Sequence, residues 1–117
     1  MSSGHPVLDQ IERWDVVVVP FPFTDRLAAK RRPALVLSDV AFNASGHCIL
    51  AMVTTAARTT WPTDIRIVDL AAAGLREPCI VRCNVFTLDN RLVLYRAGRL
   101  ATDDIAGVAM RLRKVLP

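Results

Sequence analysis

The stretch Asp15 to Leu37, DVVVVPFPFTDRLAAKRRPALVL, decides the fold. It holds two apolar runs, Val16–Val19 and Ala34–Leu37, separated by a polar segment that ends in Lys30, Arg31, Arg32 and Pro33. Both runs are rich in branched side chains and bounded by prolines, so both read as strands. Neither alternates cleanly between apolar and polar, which implies burial on both faces, as in a small barrel or sandwich. Pro33 lacks an N–H and keeps Arg32 out of the α region, so Arg32 is expected to be extended where the second strand begins. A guanidinium on a stiff strand start suits an anion.

Downstream of this stretch the pattern stays mainly β. Pro20 and Pro22 are expected to break regular pairing after the first strand, with Phe21 and Phe23 between them. Those rings suit either stacking on single-stranded bases or covering one end of the core. Ser38 to Gly46 has turn chemistry, and Cys48 to Thr54 reads as a strand that ends in Thr54 and Thr55. Asp64 to Val68 alternates charged and apolar residues, as a half-exposed strand does. Asp69 to Gly74 reads as one helical turn stopped by glycine. Cys79 to Phe86 is a strand whose even positions, Ile80, Arg82, Asn84 and Phe86, share one face. An arginine and an amide on that face mark either an exposed half or a groove. Leu92 to Leu100 is the last long strand. Thr102 is the expected N-cap of a terminal helix, with Asp103 and Asp104 near its positive end. Ile105, Val108, Ala109, Leu112 and Leu116 then form one apolar face. Trp14 is expected to pack at the edge of the first strand.

A chain of 117 residues, 52% hydrophobic, is one domain with a real core. Residues 1–12 read as a flexible lead-in and 13–117 as the domain. No apolar run reaches the roughly 20 residues of a transmembrane helix, and the N-terminus MSSGHPVLDQ lacks the signal-peptide pattern. The expected location is the cytoplasm, with no membrane association. The net charge is +4, and Lys30 and Lys114 are the only lysines. Arginine presents a planar fork of donors that matches phosphate, so this excess is compatible with a nucleic-acid partner as well as with plain solubility. Three cysteines, Cys48, Cys79 and Cys83, do not make a disulfide framework. Cys79 and Cys83 are expected on one face but about 13 Å apart, too far to share a metal. No metal site and no cofactor are expected.

DVVVVPFPFTD and KRRPALVL, the strand ILAMVTT, the segment AAAGLREPCIVRCNVFTLD and the closing YRAGRLATDDIAGV together resemble the MazF/PemK family, toxins of type II toxin–antitoxin systems. The likeness extends from Trp14 to Leu116, and its most specific parts are RPALVL and IVRCNVFTLD. The resemblance implies a small SH3-like β-barrel with a short helical turn and a C-terminal helix, in a homodimer. It implies metal-independent, sequence-selective cleavage of single-stranded RNA. It also implies a cognate antitoxin as partner, with DNA reached only indirectly through that antitoxin. By the same resemblance Arg32, Thr54 and Arg82 are the catalytic candidates. Lys30, Arg31, Thr55, Asn84 and Phe23 are the RNA-binding candidates. The chain departs from the family pattern at three places. Asn84 stands where an acid is usual, Trp14 where a glycine is usual, and Ala28 and Ala29 in a loop that is often glycine-rich.

The chemistry follows from RNA itself. Each phosphodiester has a neighbouring 2′-OH, so internal attack needs no metal. It needs removal of the 2′ proton, stabilisation of the phosphorane charge and protonation of the 5′-oxygen. Arg32, Arg82 and Thr54 supply donors for the charge, on the order of 3 kcal/mol for each well-placed one. An amide at Asn84 cannot act as general base. Two further readings share the fold: a gyrase-binding toxin resembling CcdB, whose action depends on the terminal helix end, and a degenerate binding module. Retention of Arg32 and Thr54 argues against the first, whereas Asn84 keeps the second open.

Overall fold

A computed structural model describes residues 10–21, 30–56 and 61–116. Pro22, Phe23, Ala28 and Ala29 lie outside the described residues. The described chain forms β1 (Asp15–Phe21), β2 (Lys30–Val36), α1 (Val40–Asn43), β3 (His47–Thr55), β4 (Ile65–Arg66), α2 (Leu70–Ala73), β5 (Cys79–Asp89), β6 (Tyr95–Arg99) and α3 (Thr102–Val115). The strands pair antiparallel in the order β4-β5-β3-β2-β1-β6. The sheet curls into a half-barrel, helped by bulges at Val16/Val17 and Ala51/Met52, which increase local twist.

Apolar residues cover both faces, which is why the strands of the opening stretch do not alternate. Val16, Leu35, Ala51, Val53 and Val81 pack on one side under Ala73 and the α3 residues Ile105, Val108 and Leu112. Val17, Val19, Ala34, Val36, Cys48 and Leu50 pack on the other with Ile11, Leu88 and Val93. Burial pushes the Cys48 thiol up to about 11 and raises that of Cys79.

Pairing continues through Pro20, contrary to the expectation that this proline breaks it: Pro20 sits opposite Arg31 and Phe21 opposite Lys30. The Leu94 N–H donates to the Val18 carbonyl, so Val18 and, two residues on, Pro20 turn their backbone groups to the β6 side. The β1–β6 register ends at Val18, so the missing N–H of Pro20 leaves no ladder bond unmade. The last strand is shorter than Leu92 to Leu100. Asn90–Leu92 is instead a 3-10 turn, closed by the Asp89 carboxylate accepting from the Arg91 N–H. Likewise Asp64 to Val68 contains only a two-residue strand, because Asp104 of α3 takes the N–H groups of Val68 and Asp69. The N-cap of α3 is Ala101 rather than Thr102, which is its first residue.

Two glycines bring α2 backbone-to-backbone against β6. Gly74 ends α2 at φ 75°, and a Cβ there would lie 2.1 Å from the Ala97 carbonyl oxygen. A Cβ on Gly98 would lie 2.4 Å from that of Ala72. Trp14 is also left-handed, at φ 76°, a conformation that glycine adopts most readily.

Candidate active site

Register decides which side chains meet. Val19 opposes Arg32 and Phe21 opposes Lys30, so Arg32, Lys30 and Phe21 point to the face of Val19. On β3, Met52 opposes Ala34, which puts Met52 and Thr54 on that face too. On β5, Arg82 opposes Met52 and Ile80 opposes Thr54. Phe21, Arg32, Met52, Val53, Thr54, Arg82 and Asn84 line one cleft of about 230 Å³. The structure thus brings Arg32, Thr54, Arg82 and Asn84 to one cleft.

Pro33 opens this cleft. The Trp14 N–H donates to the Val36 carbonyl and the Leu37 N–H to that of Ile49. Backbone groups alternate along the strand, so those of Pro33 face β3. The β2–β3 register begins at Ala34, and without a donor at Pro33 it goes no further. Beyond that point Arg32 and Thr54 share a gap rather than a ladder.

A bulge shapes the opposite wall. Ala51 pairs with Val85 but Met52 pairs with Arg82, so Cys83 and Asn84 are extra residues with no partner on β3. The expected common face of Ile80, Arg82 and Phe86 holds across this bulge, because their partners Thr54, Met52 and Leu50 share parity. Cys83 falls inside the bulge, so simple alternation does not relate it to Cys79.

Arg82 is engaged. Its Nε and Nη2 donate to the two Asp64 carboxylate oxygens at 3.1 and 2.9 Å. The Trp61 backbone N–H donates to the same carboxylate at 2.8 Å, and the Arg82 guanidinium carbon lies 4.9 Å from the Trp61 ring centre. Hydrogen bonding from Arg82 holds Asp64 below the ordinary carboxylate range and raises Arg82 in turn. Asp64 was not among the sequence candidates. The β4–β5 register pairs Ile65 with Val81 and so sets Asp64 opposite Arg82; without that register, two residues 18 apart carry no common signal.

Arg31 points the other way. It opposes Pro20 and, with Thr55, lines a second cleft of about 800 Å³ that includes Arg76, Glu77, Tyr95 and Arg96 and touches Arg32 and Thr54 at their strand ends. The triplet Lys30-Arg31-Arg32 is therefore divided between two faces of the sheet.

The fold is thus a curled antiparallel half-barrel that carries an arginine and a threonine at the open end of neighbouring strands. Residues 12–116 match the family of PemK-like, MazF-like toxins of type II toxin–antitoxin systems, and the chain belongs to it. Among solved structures it is similar to an endoribonuclease in complex with its cognate antitoxin from a mycobacterial species (TM-score 0.72, 16% identity, 92% of this chain and 94% of that one). It is similar to MazF in a MazE–MazF complex of Deinococcus radiodurans (TM-score 0.70, 23% identity, 92% and 95% covered). The Mycobacterium tuberculosis toxin MazF-mt6 also matches (TM-score 0.70, 20% identity, 87% and 95% covered). No curated protein matches the chain. Among the described residues no helix is long and apolar enough to cross a membrane.

Proposed function

We propose that this toxin is a metal-independent endoribonuclease that cuts single-stranded RNA, leaving a 2′,3′-cyclic phosphate and a 5′-OH. The observation that carries the reading is the convergence of Arg32 and Thr54 on one cleft at the end of the β2–β3 ladder. Arg32 is the principal electrostatic group, with its fork of donors aimed at the non-bridging oxygens as the phosphorane forms. The Thr54 hydroxyl adds a hydrogen bond to the same charge. Arg82 has a smaller electrostatic part, because a carboxylate 2.9 Å away offsets its charge. Among the described residues of the cleft none is a competent base: Asn84 is an amide, and Asp64 is held ionised by three donors. Catalysis is therefore electrostatic and positional. Lys30, at the rim opposite Phe21, and Arg31 and Thr55, in the second cleft, contact flanking phosphates.

The molecule acts as a cytoplasmic homodimer, and its protein partner is a cognate antitoxin that covers the RNA cleft. This reading is supported by the family and by the antitoxin complexes of similar structures. The test is cleavage of a long messenger RNA by purified protein in EDTA, with end-group analysis of the fragments. Cleavage should persist and leave 5′-hydroxyl ends. A requirement for Mg²⁺, or 5′-phosphate ends, contradicts the mechanism.

A further inference from the structure

Trp61 is 42% exposed although it takes part in a closed set of contacts. Its main-chain N–H is on Asp64, the Asp64 carboxylate is on Arg82, and the Arg82 guanidinium lies against the Trp61 ring. Asp64 and Arg82 are the covered members of the set, with side chains 7% and 17% exposed. The ring is thus fixed in place by groups behind it while much of its surface stays open to solvent. Arg82 is shared: it also lines the cleft that holds Arg32, Thr54 and Asn84. Trp61 therefore stands one guanidinium away from the proposed cleavage site.

A single strand of RNA leaving that cleft has unstacked bases, each with two apolar faces. Bases stack on aromatic rings and on arginine planes largely without regard to sequence. We propose that Trp61, stacked on Arg82 and held through Asp64, is a base-stacking platform beside the cleavage cleft, and that it binds one unpaired nucleotide flanking the cut. The proposal rests on the ribonuclease reading and adds a binding residue to it. It also gives Asp64 a role. An acid at the mouth of an RNA cleft opposes phosphate by charge, yet here its negative charge orients both an arginine plane and a ring. Asp64 is a positioning residue.

The test reads Trp61 directly. The chain has two tryptophans, so Trp14→Phe leaves Trp61 as the sole indole emitter. The probes are 2′-O-methyl oligomers of uridine and of adenosine, twelve nucleotides long, which have no 2′-OH nucleophile. Both should quench Trp61 emission saturably. Trp61→Ala, which keeps the main-chain donor to Asp64, should weaken binding by roughly tenfold, while Trp61→Phe should stay within about threefold of the parent. Trp61→Leu is the discriminating variant, because it covers Arg82 but offers no ring. Binding by Trp61→Leu that equals the parent's would make Trp61 only a lid over the ion pair, and the platform would be wrong. Asp64→Asn provides a second arm. Charge considerations by themselves predict tighter binding, with a salt dependence steeper by about one ion; a positioning role predicts weaker binding and less quenching. Messenger RNA cleavage by the parent is scored in parallel. If the parent cuts RNA but all Trp61 variants bind alike, the platform falls and the ribonuclease reading stands. If the parent neither binds the oligomers nor cuts, both fall.

Discussion

At Asn84 the chain has an amide beside an arginine, and the carboxylate nearest that arginine comes from elsewhere, at Asp64. The two differ in what they can do. A carboxylate whose lone pairs accept from Arg82 and from the Trp61 N–H is a structural anion rather than a proton acceptor. Its depressed pKa gives the sign of its linkage. The pair contributes stability above the ordinary carboxylate value of 3.8 and loses it as pH falls through the lower folded value. The described residues that line the cleft include no histidine, cysteine or carboxylate to serve as base between pH 6 and 8.5. Single-turnover cleavage should therefore rise about tenfold per pH unit across that range, as hydroxide removes the 2′ proton. A plateau would reveal a titrating base and contradict purely electrostatic and positional catalysis.

Among the elements, the strands of the opening stretch were legible because four valines in a row and ALVL, bounded by prolines, favour strands buried on both sides. The turn over Leu70–Ala73 was legible from Asp69 and Gly74, which cap it as their types imply. What could not be read were effects of partners distant in sequence. Val68 and Asp69 leave the ladder because Asp104 takes their N–H groups, and Pro20 stays in its ladder because β6 has already ended. In the cleft, Arg32, Thr54, Arg82 and Asn84 were placed by motif and period, whereas Asp64 and Trp61 required the β4–β5 register. The contact of α2 with β6 was equally hidden, since Gly98 sits in an ordinary-looking strand. Replacing Gly98 by alanine should destabilise the protein by roughly 2 kcal/mol, because the new methyl meets backbone that cannot turn aside. Gly107→Ala, in open space on α3, should instead stabilise by about 0.5–1 kcal/mol. Urea unfolding of the two variants checks the signs, and equal effects would refute this account of the α2–β6 contact.

On the scale of the whole molecule, the sheet bears two polar clefts and an apolar groove. The groove, lined by Trp14, Leu37, Phe42, Ile49, Val85, Leu112 and Leu116, leaves Phe42, Val85 and Leu116 exposed. An apolar patch of this kind suits association with a second copy in a symmetric dimer. Sedimentation at micromolar concentration should show a species twice the 12.9 kDa of the chain, and a monomer alone would count against it. The two faces also make the central claim testable, because Arg31 and Arg32 are neighbours in sequence but point to opposite sides. A phosphate contact is interchangeable with another cation at modest cost, whereas a transition-state contact is lost with its geometry. The decisive measurement is single-turnover RNA cleavage by Arg32→Lys and Arg31→Lys, each scored beside binding of a non-cleavable RNA. Arg32→Lys should bind within about tenfold of the parent and cleave roughly a hundredfold more slowly or worse, while Arg31→Lys changes neither much. Equal behaviour of the two variants would make Arg32 one cation of a basic patch and contradict the ribonuclease site described for this cleft.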